Sequence, residues 1–170
     1  MKIPVFVSCP TELNKEQETA RTVIIQELEH LGMEARALGR TDYPSEFPLK
    51  EVLVIAKHCS GGIVLGFEQF YTSTGIWKRG NKTEEKKQSE PIAFPTPWNN
   101  LEAGILFSLG LPLLVFKENI ISGGVFDTGV TDVFIHKIPI GKLAEKNKLA
   151  LREVMLNWQR RVRAHYYEDK

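Results

Sequence analysis

"TPWNNLEAGILFSLGLPLLVF", Thr96–Phe116, is the stretch whose reading decides the fold. Thr96 suits a helix N-cap and Pro97 the first helical position. Apolar side chains then surround the helix as far as Leu109, and Gly110 stops it. Leu113–Phe116 follows as a short apolar run, the mark of a buried strand. One residue is out of keeping. From Pro91 to Phe116, Glu102 carries the sole ionisable side chain. A buried lone carboxylate is costly unless something compensates it. Glu102 therefore faces a cleft, pairs with a cation or is partly protonated.

Outward from this unit, strands and helices alternate. "IPVFVS" (Ile3–Ser8) reads as a buried strand, and residues 16–31 as a helix with Ala20, Val23, Ile24, Leu28 and Leu31 on one face. "MEARAL" (Met33–Leu38) is a weaker, alternating strand suited to a sheet edge. Pro48 opens a further helix, and "IVLGF" (Ile63–Phe67) is the third strand. "VFIHKI" (Val133–Ile138) is the fifth, after the strand at Leu113–Phe116. A long helix over about 143–166 carries the stripe Leu151, Val154, Met155, Trp158 and Val162. The expectation is a flavodoxin-like α/β three-layer sandwich over 1–170. Its five-stranded, mainly parallel sheet has order 2-1-3-4-5, with helices on both faces. Residues 69–95 break the pattern, because "KRGNKTEEKKQSE" (Lys78–Glu90) has no apolar period. They read as an irregular, mobile surface insertion.

Composition sets outer limits. The 170 residues are 42% hydrophobic and 25% charged with net charge +1, which suits a soluble domain and gives no general pull towards nucleic acid or membrane. No apolar run approaches the ~20 residues of a membrane span. The apolar run in "MKIPVFVSCP" is too short for a signal peptide. Cys9 and Cys59 have neither metal-ligand nor disulfide-framework spacing. A cytoplasmic protein with no metal and no bound cofactor, capable of self-association, is the expectation.

In a doubly wound sheet, ligands bind beyond the carboxyl ends of the strands, at the switch in strand order. That rule gathers "SCP" (Ser8–Pro10), "GFEQ" (Gly66–Gln69) and the start of the Glu102 helix around one crevice. Cys9 lines it. Trp98 shares a helix face with Glu102 and offers a wall on which a flat base can stack. The amides of Asn99 and Asn100 can hold hydroxyls. In "SGGVFDTG" (Ser122–Gly129), the loop around Gly124 either cradles phosphate or is a plain turn, and Asp127 can take a ribose hydroxyl. The competing reading pairs Glu102 with Arg36 or Arg40 as a structural acid.

"WNNLE" (Trp98–Glu102) resembles the W-C-x-x-E stretch of TIR domains, whose glutamate is catalytic in those that cleave NAD. "FVS" (Phe6–Ser8) resembles the F-I-S that ends their first strand. "LEAGILFSLGLPLLVF" (Leu101–Phe116) is similar to the glutamate helix, G-x-P turn and strand of nucleoside 2-deoxyribosyltransferases. Asn99 stands at the TIR cysteine. Glu68 stands where the transferases carry an aspartate, and their P-D-x-G run is replaced by "FPTPWNN" (Phe94–Asn100). The resemblance implies cleavage or transfer at the N-glycosidic bond of a nucleoside, nucleotide or NAD. Glu102 would act at ribose C1′, Glu68 would orient the sugar or share acid–base work, and Ser8, Asn99 or Asn100 would hold hydroxyls. Trp98 or Phe67 would stack on the base. The alternative on the same fold is a non-catalytic nucleotide sensor or a TIR-like protein-interaction module.

Overall fold

The computed structural model describes residues 2–43, 45–87, 90–141 and 144–168. Nine strands and four helices occur among them. Five strands form the main sheet: β1 (Ile3–Ser8), β2 (Met33–Arg36), β3 (Gly62–Gly66), β8 (Leu113–Lys117) and β9 (Ile135–Lys137). Their order is β2-β1-β3-β8-β9 and every pairing is parallel. In order of appearance within the sheet this is 2-1-3-4-5, the flavodoxin-like arrangement. The edge strands β2 and β9 are the short ones, which limits unpaired backbone.

Helices α1 (Lys15–His30) and α4 (Glu145–Glu168) cover one face; α2 (Pro48–Lys57) and α3 (Pro97–Ser108) cover the other. The pleat sorts the strand side chains between them. Val5, Val7, Ile63, Leu65, Leu114 and Phe116 meet Ile24, Leu28, Met155 and Trp158. Phe6, Val64 and Val115 meet Val52, Ala56, Ala103 and Leu106. β3, and β8 as far as Phe116, are therefore apolar without a break, as two-sided burial requires. At Gly62 a Cβ would stand 2.8 Å from the Leu106 side chain, so α3 lies close on β3 because the strand begins with glycine.

Local signals set the helix ends. Asn14 and Gln17 form a capping box at the start of α1. The Thr96 hydroxyl accepts the Asn99 N–H at the start of α3, with Pro97 in the first turn. The indole of Trp158 donates to Pro112 O at 2.9 Å, which ties α4 to the turn before β8. The terminal helix is described from Glu145, and residue 143, the expected start, lies outside the described residues.

The segment expected to be irregular is paired. β4 (Phe70–Thr72) runs antiparallel to β7 (Ile92–Phe94), and β5 (Gly75–Trp77) to β6 (Glu85–Lys87). Trp77 meets Phe94 edge-on at 5.8 Å, and Phe70 stacks on Phe94 at 6.4 Å. The outer pair thus folds back over the inner one around three aromatic rings. Cross-strand aromatic contact supplies what the polar sequence lacks in apolar period. Gln88 and Ser89 of the insertion lie outside the described residues.

Candidate functional site

β1 and α3 bring together three buried polar side chains. Ser8 ends β1 with no exposure, Asn99 is 1% exposed, and Glu102 is 8% exposed. Asn99 Nδ2 donates to Ser8 Oγ at 2.9 Å and to Leu65 O at 3.4 Å. Ser8 Oγ in turn donates to Glu102 Oε2 at 2.5 Å. The Thr96 hydroxyl donates to Asn99 Oδ1 at 3.0 Å. This last contact sets which end of the amide faces Ser8, and so fixes the direction of the whole relay. Glu102 Oε1 takes no hydrogen bond among the described residues.

Glu102 opens into a cavity of about 300 Å³. Its walls are Cys9, Pro10 and Thr11 from the loop after β1, Gly39 from the link after β2, and Thr96 and Trp98 from α3. This is the switch point, where the chain leaves β1 and β3 in opposite directions. Burial pushes the Glu102 carboxyl up to about 7, and the Ser8 hydroxyl acts against that rise. The group is poised between acid and carboxylate at neutral pH, as acid–base or nucleophilic work requires.

The arginines proposed as structural partners are engaged elsewhere. Arg36 is held by Asp42, with Nε 3.0 Å from each carboxylate oxygen. Arg40 pairs with Glu18 and donates to Pro10 O at 2.8 Å and Thr11 O at 3.0 Å. Arg40 therefore pins the loop that forms one wall, and Glu102 has no cationic partner among the described residues.

The other expected site residues divide. Cys9 lines the cavity; its thiol is pushed up to about 11 by burial, against the pull of Arg40 and Arg21, and so stays neutral. Trp98 lines the cavity and is 42% exposed. Phe67 follows the inward pleat of Ile63 and Leu65 into the core and is fully buried, away from the cavity. Asn100 turns to the other side of α3, where its Oδ1 accepts the Val125 N–H at 2.9 Å. That contact seats a short 3-10 turn at Gly124–Phe126. Gly124 has φ +63°, and a Cβ there would run into the Asn100 side chain. Asp127 Oδ1 accepts the Gly123 N–H at 2.8 Å. This loop is a self-satisfied turn docked on α3, not a wall of the Glu102 cavity.

Glu68 lies outside the cavity lining too. Its N–H donates to Glu118 Oε2 at 2.5 Å and its carbonyl accepts from Gln17 Nε2 at 3.1 Å. Burial raises its carboxyl, and nearby Glu118 adds to the rise. Gln17, Glu118, Thr11 and Gly39 were not singled out from the sequence, and Arg40 was considered only as a partner for Glu102 rather than as the pin of the loop after β1. The capping-box position of Gln17 was visible, but its reach to Glu118, at 3.1 Å across 101 residues, was not. Among the described residues, no group of three His, Cys, Asp or Glu could hold a metal, and no helix is long and apolar enough to cross a membrane.

With this geometry in place, the chain can be set beside known proteins. It matches no protein-family model and no curated protein. Among solved structures it is similar to a metal-soaked Flv1 flavodiiron core from Synechocystis sp. PCC6803. The TM-score is 0.53 at 10% identity over 96% of this chain. The match spans 36% of that longer chain. Likeness at that identity supports the flavodoxin-like fold and nothing about chemistry.

Proposed function

We propose that the chain cleaves or exchanges the N-glycosidic bond of a nucleoside, nucleotide or NAD, with Glu102 acting at ribose C1′. The observation that carries this reading is a carboxylate without a cationic partner among the described residues, raised to about 7, at the end of a hydrogen-bonded relay on a cavity wall. The resemblance of Trp98–Glu102 and Leu101–Phe116 to TIR domains and nucleoside 2-deoxyribosyltransferases supports the choice of bond.

In the proposed reaction the Glu102 carboxylate attacks C1′ through Oε1. The C1′–N bond breaks, and its electron pair leaves with the base; a purine or pyrimidine takes up a proton as it leaves, whereas nicotinamide leaves NAD as the neutral base. Water then attacks C1′, gives up a proton and frees the carboxylate; a second base in place of water gives transfer. This is double displacement with retention. Ser8 holds the attacking carboxylate in one rotamer, and Trp98 offers the face on which the base stacks. Both cysteines are free, which fits a reducing cytoplasm.

The test is incubation with nucleosides, nucleoside monophosphates and NAD, followed by chromatography for released base. Wild type is expected to release base and Glu102→Gln is not. Equal rates would overturn the assignment. A nucleotide that raises the melting temperature without being cleaved would favour the sensor reading.

A further inference from the structure

The outer side of α3 is unusual for a surface helix. Glu102 is its sole ionisable residue, and Glu102 points inwards. Helical spacing places Pro97, Leu101, Gly104 and Ser108 along the outward line, flanked by Trp98 and Phe107. Leu101 is 44% and Phe107 55% exposed. A surface helix normally carries charge on that side. The neighbouring helix α2 extends the patch with exposed Leu49, Leu53 and Val54. Tyr43 and Phe47, just before α2, are about four-fifths exposed.

We infer that this face is the interface of a homodimer, with the two copies of α3 packed across a two-fold axis near Gly104. Two observations select a second copy of this chain as the occupant. The first is charge. At a two-fold axis each residue faces its own copy, so any charge there would meet a like charge. The outward line of α3 has none. Space is open where a Gly104 Cβ would stand, so the partner helix can approach closely. The second is area. The large apolar side chains exposed on α2, α3 and the preceding link, Trp98 left out because it faces the cavity, amount to on the order of 800 Å², the share that each partner of a standard-size complex buries. Lys50, one turn before Leu53 and Val54 on α2, is paired with Glu46 at 3.1 Å, so its charge is met within its own chain.

The interface borders the Glu102 cavity. Trp98 lines the cavity and flanks the outward line, and Pro48, next to Phe47, lines it from α2. The second copy therefore stands beside the cavity mouth. The inference does not depend on the glycosidic reading, because it concerns the covering of an apolar face.

Sedimentation of the purified full chain at low and high micromolar concentration tests it. Wild type is expected at twice the monomer mass, and Leu101→Lys at the monomer mass with an unchanged circular dichroism spectrum. A Leu149→Lys control, on exposed α4, is expected to stay dimeric. A monomeric wild type, or a folded Leu101→Lys that remains dimeric, would overturn the proposal. If Leu101→Lys fails to fold, Gly104→Cys decides. Under mild oxidation it is expected to give a covalent dimer that oxidised wild type does not. Absence of that cross-link would likewise overturn the proposal.

Discussion

Ser8 and Glu102, 94 residues apart in sequence, meet at 2.5 Å. Ser8 closes the first strand and Glu102 sits one turn into α3. Their contact forms only when α3 packs on β1, so the fold itself assembles the candidate site. Glu102→Gln keeps an oxygen for the Ser8 hydroxyl to donate to but removes the carboxylate. Base release should fall roughly 100-fold or more, the scale on which a positioned acid or base acts. Initial rates at saturating nucleoside measure this.

The same substitution should raise stability at alkaline pH. Glu102 is raised from 4.5 to about 7 in the folded chain. Between those values the folded protein holds a proton that the unfolded chain has released. The contribution of Glu102 to stability is therefore greatest below pH 4.5, falls as pH rises through this window and levels out above it. The difference between pH 4.5 and pH 8 is about 3 kcal/mol at 1.36 kcal/mol per unit. Denaturant melts of wild type should show this slope, and melts of Glu102→Gln should lose it.

Turnover should run the other way. If Glu102 attacks as a carboxylate, kcat/KM rises with pH and levels off above about 7. Ser8→Ala removes the one contact that lowers Glu102, so the midpoint should move to higher pH. It should also cost about 1–3 kcal/mol of stability, because Asn99 Nδ2 loses a buried partner. A pH–rate profile of the two proteins separates this positioning effect from a general loss of fold.

Gly124→Ala should destabilise by about 1–3 kcal/mol, because an L side chain is strained at φ +63° and meets Asn100. Adding Asn100→Ala should recover part of that loss. The double-mutant cycle, read by denaturant unfolding, should show coupling between the two positions. Base release should change little beyond the stability loss, because the pair stands on the far side of α3 from the cavity.

The sheet order was legible because it rests on local patterns, and the strand-end rule then brought Ser8, Asn99 and Glu102 to one crevice; that Ser8 and Asn99 would be buried on one another and on Glu102, instead of lining the cavity as holders of ribose hydroxyls, was not. Apolar runs marked the central strands, Thr96–Pro97 marked a helix start, and helical spacing set Trp98 beside Glu102. The rest depends on contacts that span the chain. Phe67 looked like a rim residue by its place after β3, yet the pleat that buries Ile63 and Leu65 carries it inwards. Asn100 is a neighbour of Asn99 in sequence but lies about 100° round the helix, where it meets a loop 25 residues on. The insertion hid its pairing because Phe70, Trp77 and Phe94 are too widely spaced to show a strand period. Arg40 showed no sign that its partners would be the carbonyls of Pro10 and Thr11.

The fold-back excursion leaves β3 and rejoins the chain at almost the same spot, for Gln69 N–H donates to Phe94 O at 3.1 Å. A detour with touching roots can be shortened, lengthened or exchanged without re-threading any strand of the parent sheet. Ancestry of the ribbon and ancestry of the carboxylate relay are thereby separable: descendants can redesign the former while Ser8, Asn99 and Glu102 stay in register.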